Sequence, residues 1–152
     1  MLNLKKMLTK LLNGFYFKGG VISGTNMQVL PTGMEIRTGD SVIRYWISDQ
    51  LLFCDILVCI NANNTAGNIT IKMPCPDDFP TIMFANNGAI RTYRKRSDYP
   101  EFFAGDAVNL SVQSSGSSRY IELYERNFMS GHSACQYIQI TGSFVIPYRN
   151  IL

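Results

Sequence analysis

The run GDAVNLSVQSSGSSRYIELY, residues 105–124, decides the fold class. Val108, Leu110 and Val112 alternate with Asn109, Ser111 and Gln113, a period of two that predicts a half-buried strand. Ser114–Ser118 is rich in turn formers, and a returning strand follows. Ile121 and Leu123 face the core there, leaving Tyr120, Glu122 and Tyr124 outside.

The same rhythm extends in both directions. Ile69, Ile71 and Met73 alternate with Thr70 and Lys72, and Val42–Ile47 reads as another strand after the turn Thr38-Gly39-Asp40. Leu51–Ile60 is nearly continuous in apolar side chains, interrupted by Asp55, which predicts a strand buried on both faces. Shorter runs lie at Met27–Leu30 and Met34–Arg37, and Asn61–Asn68 is a polar loop. Pro74, Pro76 and Pro80 break the chain before Thr81–Ala85 and Ala89–Arg94, which flank the hairpin signal Asn87-Gly88. After loops at 95–103 and 127–134, a last long strand runs from about Tyr137 to Pro147, with Gly142 marking a bulge or bend. Roughly ten strands joined by short turns predict an all-β fold, a jelly-roll β-sandwich.

Residues 1–14 depart from this pattern. Leu4, Leu8, Leu11 and Phe15 keep the 3.5-residue spacing of a coiled-coil seam, and Asn13-Gly14 supplies a helix stop. The expected division is a short amphipathic α-helix over 1–14, serving oligomerisation, and a β-sandwich head over 15–152. An isolated helix below about 12–15 residues is marginal in water. It must therefore pack on its own domain or on copies of itself. The segment carries Lys5, Lys6 and Lys10 but no continuous apolar core or small-residue cleavage site, so it does not read as a signal peptide.

Composition narrows the function classes. The 152 residues suit one domain. Charged residues make up only 16%, below the roughly 25% of average soluble domains, which suggests a surface partly covered by a sister subunit. A net charge of +3 does not point to nucleic acid, and no run of about 18 apolar residues predicts membrane insertion. Cys54, Cys59, Cys75 and Cys135 have irregular spacing and no CxxC pair. Cys54 and Cys59 fall on opposite faces of one strand, so free buried thiols and a cytosolic folding compartment are expected.

No catalytic or cofactor motif stands out. His132 is the single histidine, and His132 with Cys135 offers two ligands where structural zinc needs four, so no metal and no cofactor are expected. Asp77-Asp78 read as solvated turn residues. A glycosidase pair would have to come from Asp55, Asp98, Glu101, Asp106, Glu122 and Glu125. The stretch 91–99 interleaves basic and aromatic side chains: Arg91, Tyr93, Arg94, Arg96, Asp98 and Tyr99 form the candidate ligand-binding set. Such a mix serves saccharide or protein receptors, nucleic acid, or a plain subunit contact. Trp46, on one face with Val42 and Arg44, is expected in a core or an interface.

The Leu/Lys helix MLNLKKMLTKLLNGF ahead of the GD-led strands TGDSVIRYW and AGDAVNLSV and the late strand ITGSFVIPY resembles the head domains of bacteriophage or prophage tail-fibre and baseplate proteins. At the level of pattern it is also similar to trimeric jelly rolls of the tumour-necrosis-factor type. The resemblance implies a homotrimer with the helices meeting at its base. It implies a non-enzymatic attachment protein whose distal loops touch a host cell-surface glycan or protein. The setting would be a virion or phage tail-like particle folded in the bacterial cytoplasm. A structural component touching only sister proteins, and a polysaccharide-degrading enzyme, are the alternatives.

Overall fold

A computed structural model describes residues 18–48, 51–65, 67–80, 89–95, 103–125 and 135–147. The expected helix over 1–14, its seam residues Leu4, Leu8, Leu11 and Phe15, the Asn87-Gly88 hairpin and His132 lie outside the described residues. Ten strands are described: β1 (Lys18–Ser23), β2 (Gln28–Leu30), β3 (Glu35–Ile36), β4 (Val42–Ser48), β5 (Leu51–Asn61), β6 (Thr70–Pro74), β7 (Ile90–Lys95), β8 (Phe103–Ser115), β9 (Ser118–Glu125) and β10 (Tyr137–Pro147). Two 3-10 turns, Gly24–Asn26 and Thr38–Asp40, separate the early strands. The all-β sandwich read from the sequence is thus present.

The strands form one curled antiparallel sheet in the order β1-β4-β5-β10-β7-β8-β9-β6-β2, with β3 added at the end of β5. The long strand β8 makes the curl. Its first residues pair with β7, with a register shift opposite Arg91 and Tyr93. From Val108 onward it pairs with β9. The first layer is therefore β1-β4-β5-β10-β7, and the second is the rest of β8 with β9, β6 and β2.

One core lies between the layers. Ile43, Ile56, Val58, Ile60, Ile138 and Ile140 come from the first layer, and Ile71, Met73, Leu110, Ile121 and Leu123 from the second. β-branched residues dominate because they pack well on a pleated, half-buried surface. The segment after β6 closes one end: Phe79 packs edge-on against Tyr45, with ring centroids 4.9 Å apart, and the Tyr45 hydroxyl donates to Asp78 Oδ1 at 2.6 Å. Asp78 is thus tied to a buried tyrosine, although its turn is exposed as expected.

Three expectations are corrected. The run in β5 is buried on one face only. Leu52, Cys54, Ile56, Val58 and Ile60 are buried, whereas Phe53, Leu57 and Cys59 on the other face are half-buried and Leu51 is exposed, because no second layer of the described chain covers that side. Gly142 does not mark a bulge. Its pairing with Ile56 and Ile90 is regular, and the residue is small because Ala89 and Ile90 approach it closely. Asn109, expected outside, is buried near the point where β8 passes from one layer to the other.

All four cysteines are free, Cys54 and Cys135 buried and Cys59 and Cys75 half-buried. Burial pushes the Cys54 thiol up to about 12, with the Asp55 carboxylate adding to the effect, and it raises Tyr45 as well. An acid whose folded pKa exceeds its unfolded value contributes stability that is complete below the unfolded pKa and is lost as pH climbs toward the folded one. Unfolding free energy is therefore expected to hold level up to the ordinary thiol value of 9.0. Above it, Cys54 alone should remove about 1.4 kcal/mol per pH unit until its own pKa is reached. Urea titrations between neutral pH and pH 11 check this. A Cys54→Val variant should show a shallower alkaline decline than the parent.

Candidate functional site

The predicted ligand strand becomes β7, and its pleat divides the expected set. Arg91, Tyr93 and Lys95 point to the outer face of the first layer, while Ile90, Thr92 and Arg94 point inward. Arg96, Asp98 and Tyr99 lie outside the described residues. Arg91 and Tyr93 stand on the outer face in register with Thr141 and Gln139 of β10, and Tyr93 is half-buried.

Arg94 takes a different place from the one expected. Its side chain is 1% exposed, as is Glu125 at the end of β9. The guanidinium donates to Glu125 Oε1 at 2.7 Å and Oε2 at 2.5 Å, and the Thr92 hydroxyl donates to Oε1 at 2.9 Å. The pair joins the two layers across the interior. Arg94 is therefore a structural clamp and presents no charge to a surface ligand. Glu125, one of the candidate carboxylates, is consumed by the same clamp. Asp55, another, is held by Ser143 Oγ at 2.8 Å and by Arg44 at 3.5 Å. Among the described residues no group of three or more His, Cys, Asp and Glu side chains converges on a common point.

An apolar cluster occupies another part of the first layer's outer face. Trp46 stacks on Phe53 with ring centroids 5.2 Å apart and planes 5° apart. Val145 follows Phe53 in the same cross-strand row. Trp46 is 37% exposed, Val145 51% and Val21 66%, and Leu51 is exposed beside them. The Arg44–Asp55–Ser143 row crosses this surface next to the aromatic pair, so a cation and an anion sit within an otherwise greasy face. Trp46 is thus not in the core. Tyr93 lies at the other end of the face, its row six residues away along β10 from that of Val145, or about 20 Å.

The second layer presents a mixed surface, with Leu30 and Tyr124 exposed in one cross-strand row. A groove of about 690 Å³ opens at its edge, between the 3-10 turn at Gly24–Asn26, β6 and the β8–β9 hairpin. Asn26, Gln28, Lys72, Asp77, Ser118 and Tyr120 line it. The Lys72 ammonium lies 5.3 Å from the centre of the Tyr120 ring and 3.7 Å from Glu122. Arg119, also on the groove, donates to the Phe79 carbonyl at 2.9 Å. These residues come from four separate segments, so no local sequence pattern brings them together. The outward alternation of Lys72, Tyr120 and Glu122 and the exposed turn at Asp77-Asp78 were the parts of this site legible in the sequence.

No family model and no curated protein matches the chain. Its structural neighbours include the raptor adenovirus 1 fibre head in a β-hairpin-deleted form, with a TM-score of 0.43 and 8% identity over 80% of this chain and 98% of that one. The carboxy-terminal domain of the turkey type 3 siadenovirus fibre, in its avirulent form complexed with 3-sialyllactose, gives a TM-score of 0.42 and 8% identity over 84% of this chain and 95% of that one. No helix among the described residues is long and apolar enough to cross a membrane.

Proposed function

We propose that this chain is a non-enzymatic attachment head that acts as a homotrimer in a virion or phage tail-like particle and binds a saccharide or protein on a host cell surface. The observation that carries the reading is the apolar cluster on the first layer's outer face, set apart from the groove on the second layer. The first layer exposes Trp46, Leu51, Val21 and Val145 around the half-buried Phe53, an apolar cluster of the kind that marks a protein contact. The second layer offers a groove lined by both polar and apolar side chains. One face for sister copies and another for the host is the division of labour that an attachment head needs. Three linked copies then convert weak single-site binding into avid attachment without any new contact.

The apolar run in β5 supports the same division. It carries apolar residues on both sides, yet one side is only half covered by its own chain. β1, one strand away from it, pairs with β4 and leaves its other edge without a strand partner among the described residues. A sister copy on this face would cover both.

Trp46 is the single tryptophan of the chain, so it reports on this contact directly. Light scattering is expected to give three times the 17.1 kDa chain mass. Dilution should shift the Trp46 emission to longer wavelength as the ring is released to water. Trp46→Glu combined with Val145→Glu should yield a folded monomer. A wild-type monomer at working concentration would remove the trimer from the proposal. Attachment itself is tested by binding of labelled protein to a glycan array and to candidate host cells. A stable trimer that binds neither would favour the alternative of a structural component whose contacts are all with sister proteins, for which the apolar face is equally suited.

A further inference from the structure

We infer that the groove on the second layer is the ligand site of this attachment head, and that it takes an uncharged, hydroxyl-rich saccharide. This rests on the attachment reading and specifies where and what the head binds.

The lining favours hydroxyl groups over ions. Asn26, Gln28 and Ser118 carry amides or a hydroxyl, each able to donate and to accept, as sugar hydroxyls also do. The cations are already engaged: Lys72 faces Glu122 and the Tyr120 ring, and Arg119 holds the Phe79 carbonyl. Asp77 adds a negative charge to the same lining. An anionic ligand would have to displace Glu122 and tolerate Asp77, whereas a neutral polyol leaves these pairs intact. Tyr120 supplies an aromatic ring, amphipathic like the C–H face of a pyranose with its rim of hydroxyls. The volume, about 690 Å³, lies within the ~300–1,000 Å³ of small-molecule sites.

The walls are also fixed in advance. Gln28, Lys72 and Glu122 form one cross-strand row, and Pro74 and Tyr120 the next. The hairpin between β8 and β9 turns at Gly116, whose φ of 60° is the left-handed conformation that glycine adopts without strain. The 3-10 turn on the opposite wall is capped by the Ser23 side chain. A site whose walls are held by strand pairing loses little entropy on binding.

The test is a backbone amide NMR titration of the full chain with lactose, maltotriose and chitotriose at millimolar concentration, with a heparin disaccharide as the charged comparator. At least one neutral sugar is expected to move the amides of Gln28, Lys72, Ser118 and Tyr120. Tyr120→Ala should weaken that binding at least tenfold, and Gln28→Leu should weaken it in a fold that the spectrum itself verifies. Arg91→Ala, on the other layer, should leave it unchanged. The inference is overturned if the three neutral sugars leave the groove amides in place, or if only the heparin disaccharide moves them. It is also overturned if Arg91→Ala abolishes binding while Tyr120→Ala does not. In each of those cases host-cell binding by the wild-type head would still uphold the attachment reading. Loss of host-cell and array binding altogether would take down both.

Discussion

Arg94→Met on its own is expected to cost about 3–5 kcal/mol of folding stability, because it leaves the Glu125 carboxylate buried without its cation. For a chain of this length that lowers the melting temperature by roughly 6–20 °C. Glu125→Leu should be as damaging, since it strands the guanidinium and removes the acceptor of the Thr92 hydroxyl. The double variant Arg94→Met/Glu125→Leu should recover most of the loss, as two apolar side chains can fill the space between the layers without any buried charge. Urea unfolding of the four proteins gives the coupling energy directly. Additive losses in the double variant would show that the two side chains do not act as a unit. The site identifies what the pair does: Arg94 projects from β7 in the first layer and Glu125 from β9 in the second, so the bond joins the layers where β8 crosses between them. Groove chemistry should survive a partial loss of stability, since the pair sits at the Glu125 end of β9 and the groove at its Ser118–Tyr120 end.

Gly142→Ala is the second large effect. β10 is an interior strand of the first layer, paired with β5 on one side and β7 on the other. A methyl group at position 142 would run into the Ala89 carbonyl oxygen and come within 2.7 Å of the Ile90 Cα. Both obstacles are backbone, so no side-chain rotation relieves them, and β7 must move away from β10. Overpacking of this kind costs about 2–3 kcal/mol, and a thermal melt should fall by roughly 4–12 °C. Gly39→Ala provides the control: nothing lies within 4 Å of the added atom, and the melt should move little. Equal melts for the two variants would mean that the first layer can shift at β7 without loss. The same shift would carry Arg94 away from Glu125, so combining Gly142→Ala with Arg94→Met should cost less than the sum of the two.

Much of the sandwich was legible because the period of two is a local property. The alternation at 108–112 and 121–123 needs no knowledge of the rest of the chain, and the structure places Val108, Leu110, Ile121 and Leu123 in the core as read. The turns at Thr38–Asp40 and 114–118 were visible for the same reason. The strand 90–95 was legible too, and so was the fact that 91 and 93 must face away from 92 and 94. Grouping Arg94 with Arg91 and Tyr93 treated neighbours in sequence as neighbours on a surface, which a pleated strand forbids.

What the sequence by itself determined is the set of strands, their turns and the inward side of each, because backbone geometry and apolar burial act over a few residues. Only the tertiary structure decided which strands became partners and what each outward side faces. Arg94 finds Glu125 across 31 residues, and the groove gathers Asn26, Lys72, Asp77 and Tyr120 from separate segments. Leu51–Ile60 illustrates the boundary between the two. Its composition announced burial on both faces, and the fold supplied a cover for one. The other side, with Trp46 stacked on Phe53, is left as the surface that a sister copy is proposed to complete, because burial of a face depends on what the curled sheet brings against it and not on the strand that bears it.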